Sequence, residues 1–279
     1  MTTVREALIL AAAELTDRIP EPVRLDAEIL LGHLLEIDRS ALLARGDETL
    51  PPEQLDDFQS MVSERGLGRP IAHLIGEWEF YGLPLTMTPD VLVPRPDTET
   101  LVEVALRRLP AEGQAKVLDL CTGSGCVAIA LAATRVEWSV VATDISPEAL
   151  EVAERNVKRH GLSDRVELRQ GDLFDSASER FDLIVSNPPY VVADDPALAA
   201  DVAQFEPSLA LFDALDGDGL GFYRRIASEA APHLCEGGAV AVEVGETQAE
   251  AVSALFRGAG FQTSTTRDLA GIERVVLAE

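Results

Sequence analysis

From residue 115 onward the chain repeats one unit: a short apolar run, a polar side chain or glycine turn at its end, then a helical stretch. AKVLDL (115–120) ends in the turn CTGSG and continues into VAIALAAT. SVVATDI (139–145) closes at Asp144 and leads into SPEALEVAERNVKRHG, with Ser146 as N-cap and Pro147 at the first helical position. RVELRQGD is a third strand, RFDLIVSN a fourth, and a helix near 219–232 precedes a fifth, GGAVAVEVG. A helix over 246–259 is followed by FQTSTTRDL and ERVVLAE, two final strands close enough in sequence to pair antiparallel at an edge. Strand–helix–strand repetition of this kind predicts an α/β chain whose mostly parallel sheet is covered on both faces.

The first part of the chain follows another rule. VREALILAAAEL places Val4, Leu8 and Leu15 on one stripe, with Arg5, Glu6, Glu14 and Asp17 at amphipathic spacing and Thr3 as N-cap. RLDAEILLGHLLEI repeats the pattern with Leu25, Ile29, Leu30 and Leu34, and Pro51-Pro52 opens a third segment with Leu55, Phe58 and Val62. A small helical bundle over 1–69 is expected. Residues 70–96 mix β-type residues with prolines and predict a linking hairpin around Gly82-Leu83-Pro84. The α/β domain then occupies 97–279.

Composition narrows the functional classes. The 279 residues carry a net charge of −25, and residues 1–85 alone hold 7 basic against 16 acidic side chains. Nucleic-acid binders gain affinity by neutralising phosphates, so a chain acidic in both parts is not expected to take DNA or RNA. No 18-residue apolar run is present and the N-terminus lacks a basic leader with a cleavage site, so neither a membrane span nor a signal peptide is expected. Cys121, Cys126 and Cys235 form an odd set without a CxxC, which reads as reduced thiols in a cytoplasmic protein. His33, His73, His160 and His233 are scattered, and no metal site is expected.

The strand ends carry the chemistry, because ligands of parallel sheets bind at the carboxyl ends of the strands. Gly123 and Gly125 let backbone approach a ligand, but CTGSGC is neither G-x-G-x-x-G nor a Walker turn. Asp119 at the first strand end suits a ligand with an amine rather than a pyrophosphate. Asp144 follows about twenty residues after the glycines, where a carboxylate accepts the hydroxyls of a ribose. After the third strand, Asp172 is either a loop acid or an acceptor for an adenine amino group, with Leu173 in the latter case a packing surface for its ring.

DLCTGSG, ATDIS, QGD and SNPPY, in that order, resemble the class I S-adenosylmethionine-dependent methyltransferases with their seven-stranded Rossmann-like sheet. The likeness extends to PLTMTPDVLVPRPDTETLVE, FEPSLALFDALDGDGLGFYRRI and GIERVV, which, with the N-terminal helices, resemble the bacterial peptide-chain release-factor glutamine N5-methyltransferases over nearly the whole chain. The resemblance implies S-adenosylmethionine as cofactor. Asp119, Cys121, Thr122, Gly123, Ser124 and Gly125 would line its methionine end, Asp144 would hold the ribose, and Ile145, Asp172 and Leu173 would meet the adenine. Cys121 departs from the glycine of many methyltransferases but keeps the position small. Thr98, in RPDTE, either closes over the cofactor or caps the helix that follows. The implied partner is a peptide-chain release factor, methylated on the glutamine of a Gly-Gly-Gln motif.

Asn187, Pro188, Pro189 and Tyr190 form the expected clamp. An amide nitrogen is a poor nucleophile because its lone pair is delocalised. Two acceptors, the Asn187 side-chain oxygen and the Pro188 carbonyl, would fix both N–H protons and stabilise positive charge developing on the nitrogen. The prolines fix φ and bring no competing N–H, and Tyr190 can cover the planar group. The motif accepts any planar NH2, so an N6-adenine nucleic-acid methyltransferase is the rival, and a non-catalytic cofactor-binding scaffold a third reading. Trp78, Phe80 and Tyr81 either help hold a partner or pack the hinge. Arg95 is expected to pair with a nearby carboxylate and brace the hairpin.

Overall fold

The computed structural model describes residues 2–16, 18–20, 22–193 and 199–279; Asp17 of the expected polar stripe lies outside them. Backbone contacts divide the chain into two compact units. One holds the residues up to Glu77 together with Ala199–Phe205, and the other holds the remainder.

The first unit is helical, with α1 (Val4–Thr16), α2 (Val23–Leu34), α3 (Arg39–Ala44), α4 (Pro52–Gly66) and α5 (Ile71–Ile75). Thr3 opens α1 as a capping box: its Oγ1 accepts from Glu6 N at 3.3 Å while its own N–H donates to Glu6 Oε2 at 2.9 Å. Val4, Leu8 and Leu15 are buried with Phe58 and Val62 of α4, as their spacing predicts. The buried face of α2 differs from the expected one. Leu25 is 37% exposed, and Val23, Ala27 and Leu31 turn inward together with the expected Leu30. Charge pairing sets this rotation: Arg65 donates to Asp26 at 2.7 Å, and Arg24 and Arg39 both donate to Glu28 at 2.7 Å. Two carboxylates thereby sit on the inner side with their partners supplied.

The second unit begins with a hairpin of β1 (Glu77–Phe80) and β2 (Leu83–Thr86). Its turn is Tyr81-Gly82, both at positive φ (53° and 72°), so Leu83 and Pro84 belong to the strand rather than to the turn. Positive φ at both central residues matches the twist that a two-residue hairpin needs. A 3₁₀ turn (Pro96–Thr98) leads into α6 (Glu99–Arg108). Then follow β3 (Ala115–Leu120), α7 (Cys126–Thr134), β4 (Trp138–Asp144), α8 (Pro147–Arg159), β5 (Val166–Gln170) and β6 (Phe181–Ser186). After α9 (Ala200–Phe205), which belongs to the first unit, come α10 (Ser208–Leu211), α11 (Gly221–Glu229), β7 (Leu234–Glu243), α12 (Ala249–Gly258), β8 (Thr263–Arg267) and β9 (Glu273–Ala278).

The seven-stranded sheet has the order β5-β4-β3-β6-β7-β9-β8. β3 to β7 run parallel, β9 is antiparallel to β7, and β8 pairs antiparallel with β9 at the edge. The two final strands thus pair as their short connection predicts. Tyr223 and Ile226 of α11 and Phe256 of α12 pack one sheet face against Leu118, Leu120, Ile184, Val240 and Val242. Ser146 caps α8 by accepting from Ala149 N at 3.1 Å, with Pro147 in the first turn. Strand order reverses on either side of β3, so the crevice beyond the carboxyl ends of β3, β4, β5 and β6 is where a ligand of such a sheet sits.

Candidate active site

A cavity of about 300 Å³ occupies that crevice. From β3 it receives Asp119, which is 1% exposed and accepts from Thr122 Oγ1 at 2.6 Å. Burial pushes the Asp119 carboxyl up to about 7; Thr122 and the Ala128 amide pull it down in part, and the charge of Asp144 adds to the rise. Cys121, Thr122, Gly123 and Ser124 also line the cavity. Cys121 holds φ +59°, a conformation that side-chain-bearing residues rarely adopt, and burial lifts its thiol well above the ordinary range. Gly123, at φ +55°, has nothing within 4 Å of where a Cβ would stand. Gly125 is not on the lining. At φ +81° it packs between α7 and α8, where an added Cβ would meet Ile129 at 3.2 Å and Ala153 at 3.3 Å.

The end of β4 supplies Asp144, whose Oδ2 accepts from Gly123 N at 2.8 Å and whose Oδ1 accepts from Ser146 N at 3.0 Å. Each oxygen retains a second lone pair, and burial raises this carboxyl too. Ile145 beside it is 48% exposed, an open apolar surface at the mouth. Asp172 and Leu173 follow β5 on the same wall. The carboxylate expected to be a free acceptor is engaged: Arg225 Nη1 donates to both Asp172 oxygens, at 2.9 and 2.8 Å. Leu173, at φ +49°, is buried in the core cluster and also lines the cavity.

β6 ends at Asn187. Its Nδ2 donates to Thr98 Oγ1 at 3.4 Å, and both residues line the cavity. Thr98 therefore does not act as the helix cap that its position before α6 permits; its backbone is already helical and its side chain caps nothing. With the Nδ2 side tied to Thr98, Asn187 Oδ1 remains as an acceptor. Among the described residues no hydrogen bond engages the Pro188 carbonyl. Pro189 reaches the lining, whereas Pro188 and Tyr190 stand behind it. Tyr190 packs on the core rather than over the cavity, and burial next to the Glu243 carboxylate raises its hydroxyl. Gln248 Nε2 donates to the Tyr190 carbonyl at 3.2 Å and fixes the backbone after the prolines.

The opposite wall comes from Asp90–Pro94 and from Pro207–Leu215, segments that the sequence did not connect to the cavity by any spacing. A bridge between Val191 and Phe212 docks the second segment beside the Asn-Pro-Pro-Tyr loop, with Val191 N donating to Leu211 O at 2.9 Å. Arg95 pairs with Glu206 at 2.5 Å, and Glu206 also accepts from Val93 N at 3.1 Å. The expected carboxylate partner exists, but it braces the wall at 93–95 and not the hairpin. Phe80 is buried and Trp78 and Tyr81 are half-buried.

Residues 97–205 match the family model described as Methyltransferase small domain, and residues 6–76 match the PrmC N-terminal domain. A methyltransferase from Pyrococcus furiosus shares the fold at TM-score 0.54, with 21% identity over 79% of this chain and 95% of that one. The hMettl16 catalytic domain in complex with MAT2A 3'UTR hairpin 6 does so at TM-score 0.58, with 15% identity over 82% of each chain. The sheet, the cavity at its strand ends and the family model together define an S-adenosylmethionine-dependent methyltransferase. The release factor glutamine methyltransferase of Geobacter sulfurreducens is 44% identical over 98% of this chain and 95% of its own length. That of Escherichia coli K12 is 41% identical over 92% of each. The chain belongs to the release factor glutamine methyltransferase family.

The residues present fit S-adenosylmethionine. The space over Gly123 admits a ligand against bare backbone, Asp119 offers a buried carboxylate to an amine, and Asp144 offers lone pairs to hydroxyls. Ile145 and Leu173 provide the apolar surface for a base.

Proposed function

We propose that this enzyme methylates the side-chain amide nitrogen of a glutamine in a peptide-chain release factor, the glutamine of its Gly-Gly-Gln motif, in the cytoplasm. The observation that carries the proposal is the Asn187 amide, tied through Nδ2 to Thr98 at the rim of the cofactor cavity. Its Oδ1 and the Pro188 carbonyl are two acceptors for the two protons of a planar NH2 group. S-adenosylmethionine, when bound, supplies an electrophilic methyl group on a sulfonium. Asn187 and Pro188 hold the acceptor amide so that its nitrogen lone pair points into the cavity, and they oppose the positive charge that grows on that nitrogen. Asp119, Cys121, Thr122, Gly123, Ser124, Asp144, Ile145, Asp172 and Leu173 hold the cofactor, with Gly125 shaping the turn. Tyr190 steadies the clamp from behind.

The curated relatives are named for release factor glutamine, which supports the choice of substrate. Charge supports it as well. The titratable groups on the cavity lining are Asp90, Asp119, Asp144 and Asp172 with Cys121 and Cys126, against a single cation, Arg225, already paired. A phosphate backbone would meet repulsion there. Among the described residues no helix is long and apolar enough to cross a membrane, and no cluster of three His, Cys, Asp or Glu could hold a metal. Incubation with methyl-labelled cofactor and, in separate reactions, purified release factor, total RNA and duplex DNA tests the proposal. Label is expected in the release factor; label in nucleic acid alone would overturn it.

A further inference from the structure

Gln248 stands at the N-cap position of α12, yet its side chain does not cap that helix. It reaches to neighbouring loops instead. Its Nε2 donates to the Tyr190 carbonyl at 3.2 Å and to the Gly219 carbonyl at 3.1 Å, and its Oε1 accepts from Gly245 N at 3.0 Å. One amide thus joins the turn after β7, the loop before α11 and the loop after β6. The way round of this amide is fixed: turned over, its oxygen would face two carbonyl oxygens and its NH2 would face an N–H. Two glycines make room for it. A Cβ on Gly219, at φ +77°, would stand 2.6 Å from Nε2 and 2.7 Å from the Tyr190 carbonyl oxygen, and a Cβ on Gly245 would stand 2.9 Å from Oε1.

We propose that Gln248 is a positioning residue for methyl transfer: acting through the Tyr190 carbonyl, it holds the Pro188 carbonyl and the Asn187 amide where the substrate NH2 group must arrive. This rests on the glutamine-methylating function proposed above. The physical reason lies in the prolines. Pro188 and Pro189 have no N–H to donate, and among the described residues neither of their carbonyls accepts a backbone hydrogen bond. The placement of this segment is therefore set from its two ends. At the first end Asn187 Nδ2 donates to Thr98 Oγ1. At the other, Gln248 holds the Tyr190 carbonyl, and Val191 follows with its N–H on Leu211 O and its carbonyl on Asp213 N, both at 2.9 Å.

With φ fixed at two successive residues, the segment has few ways to absorb a displacement. Movement at the Tyr190 carbonyl is passed on to the Pro188 carbonyl and to Asn187. Misplacing a group at the reacting centre by about 1 Å can cost on the order of 100-fold in rate. The residues proposed to hold the cofactor are tied elsewhere: Asp119 to Thr122, Asp144 to Gly123 and Ser146, and Asp172 to Arg225. α11, which carries Arg225, keeps its own ties, with Gly221 N donating to Asp213 Oδ2 at 2.9 Å and Tyr223 Oη to the Glu243 carbonyl at 2.8 Å. Loss of the Gln248 bonds therefore strikes the transfer step and spares cofactor affinity.

Gln248→Glu keeps the acceptor for Gly245 N and removes both donors, whereas Gln248→Met keeps the volume and removes all three bonds. Each variant is compared with the wild type by calorimetric titration with S-adenosylmethionine and by the rate of transfer to a purified release factor. A kcat lower by roughly 10- to 100-fold is expected, with the cofactor Kd within about 2-fold of the wild-type value. Gly219→Ala, which leaves Gln248 in place and drives a methyl against its Nε2 and the Tyr190 carbonyl, should show the same split. The clamp is also read without cofactor or substrate, because the chain contains two asparagines, Asn156 and Asn187. In protein labelled with ¹⁵N-asparagine, the Asn187 side-chain resonances should shift in the Gln248 variants. Those of Asn156, fully buried and bonded to Thr86 and Ser124, should stay and report that the variant is folded. Where Gln248→Glu does not fold by that criterion, Gln248→Met carries the comparison. Transfer at the wild-type rate, Asn187 signals that do not move, or cofactor affinity lost in step with the rate would each overturn the proposal. Absence of methyl transfer to any glutamine by the wild type would instead strike the function and leave the Asn187 signals to decide the positioning.

Discussion

Asp119 is a carboxylate kept from water at the point where a cofactor amine would arrive. Its ordinary value is 3.8 and burial carries it to about 7 in the folded chain. Between those values the folded state binds a proton that the unfolded state has released. Stability therefore falls as pH rises through this window, and the cost is complete once Asp119 is ionised near pH 8. Asp119→Asn removes that cost and keeps an acceptor for Thr122. The cofactor-free variant should unfold at higher temperature than the wild type at pH 8, with a gain on the order of a few kcal/mol that disappears near pH 4. Calorimetric titration should show weaker S-adenosylmethionine binding for the same variant. A variant that is no more stable at pH 8 would mean that Asp119 is not held ionised at a cost. Asp119, Asp144 and Asn187 were legible in the sequence because each stands at or near the end of an apolar run. Arg225 was not, because side-chain reach brings it to the site: it meets Asp172 across 53 positions of chain.

At the scale of elements, the strand–turn–helix at 115–134 divides its two glycines between different tasks. Gly125→Ala adds a methyl that Ile129 and Ala153 already crowd, at φ +81°, and should cost about 1–3 kcal/mol of stability. Gly123→Ala adds a methyl into open cavity, so its loss of melting temperature should be the smaller while its loss of cofactor affinity is severe. Thermal unfolding and cofactor titration of the two variants check this; equal effects on both measures would show that the turn acts as one unit. The sheet was readable from the sequence because a buried strand announces itself as an apolar run. The helical stripe of α2 was misread at Leu25, since spacing of apolar residues does not reveal that Arg65 and Arg39, far along the chain, bring paired charge to Asp26 and Glu28. The hairpin turn shifted to Tyr81-Gly82 for a similar reason, with Tyr81 N donating to Glu99 Oε1 at 3.0 Å and helping to hold a non-glycine residue at positive φ.

For the whole molecule, an acidic chain carries a cofactor cavity whose rim offers acceptors to an uncharged NH2 group. In the proposed function the Asn-Pro-Pro-Tyr loop receives that group, and neither the fold nor the loop alone chooses glutamine over a nucleobase; the acidic lining and the family favour glutamine. The central claim is tested most directly by tandem mass spectrometry of a purified release factor after incubation with the enzyme and S-adenosylmethionine bearing a deuterated methyl group. The heavy methyl should appear on the side-chain nitrogen of the Gly-Gly-Gln glutamine with the wild type, and should be absent with an Asn187→Ala variant that still binds cofactor. A heavy methyl on any other residue, or one placed on that glutamine at the wild-type rate by Asn187→Ala, would contradict the account.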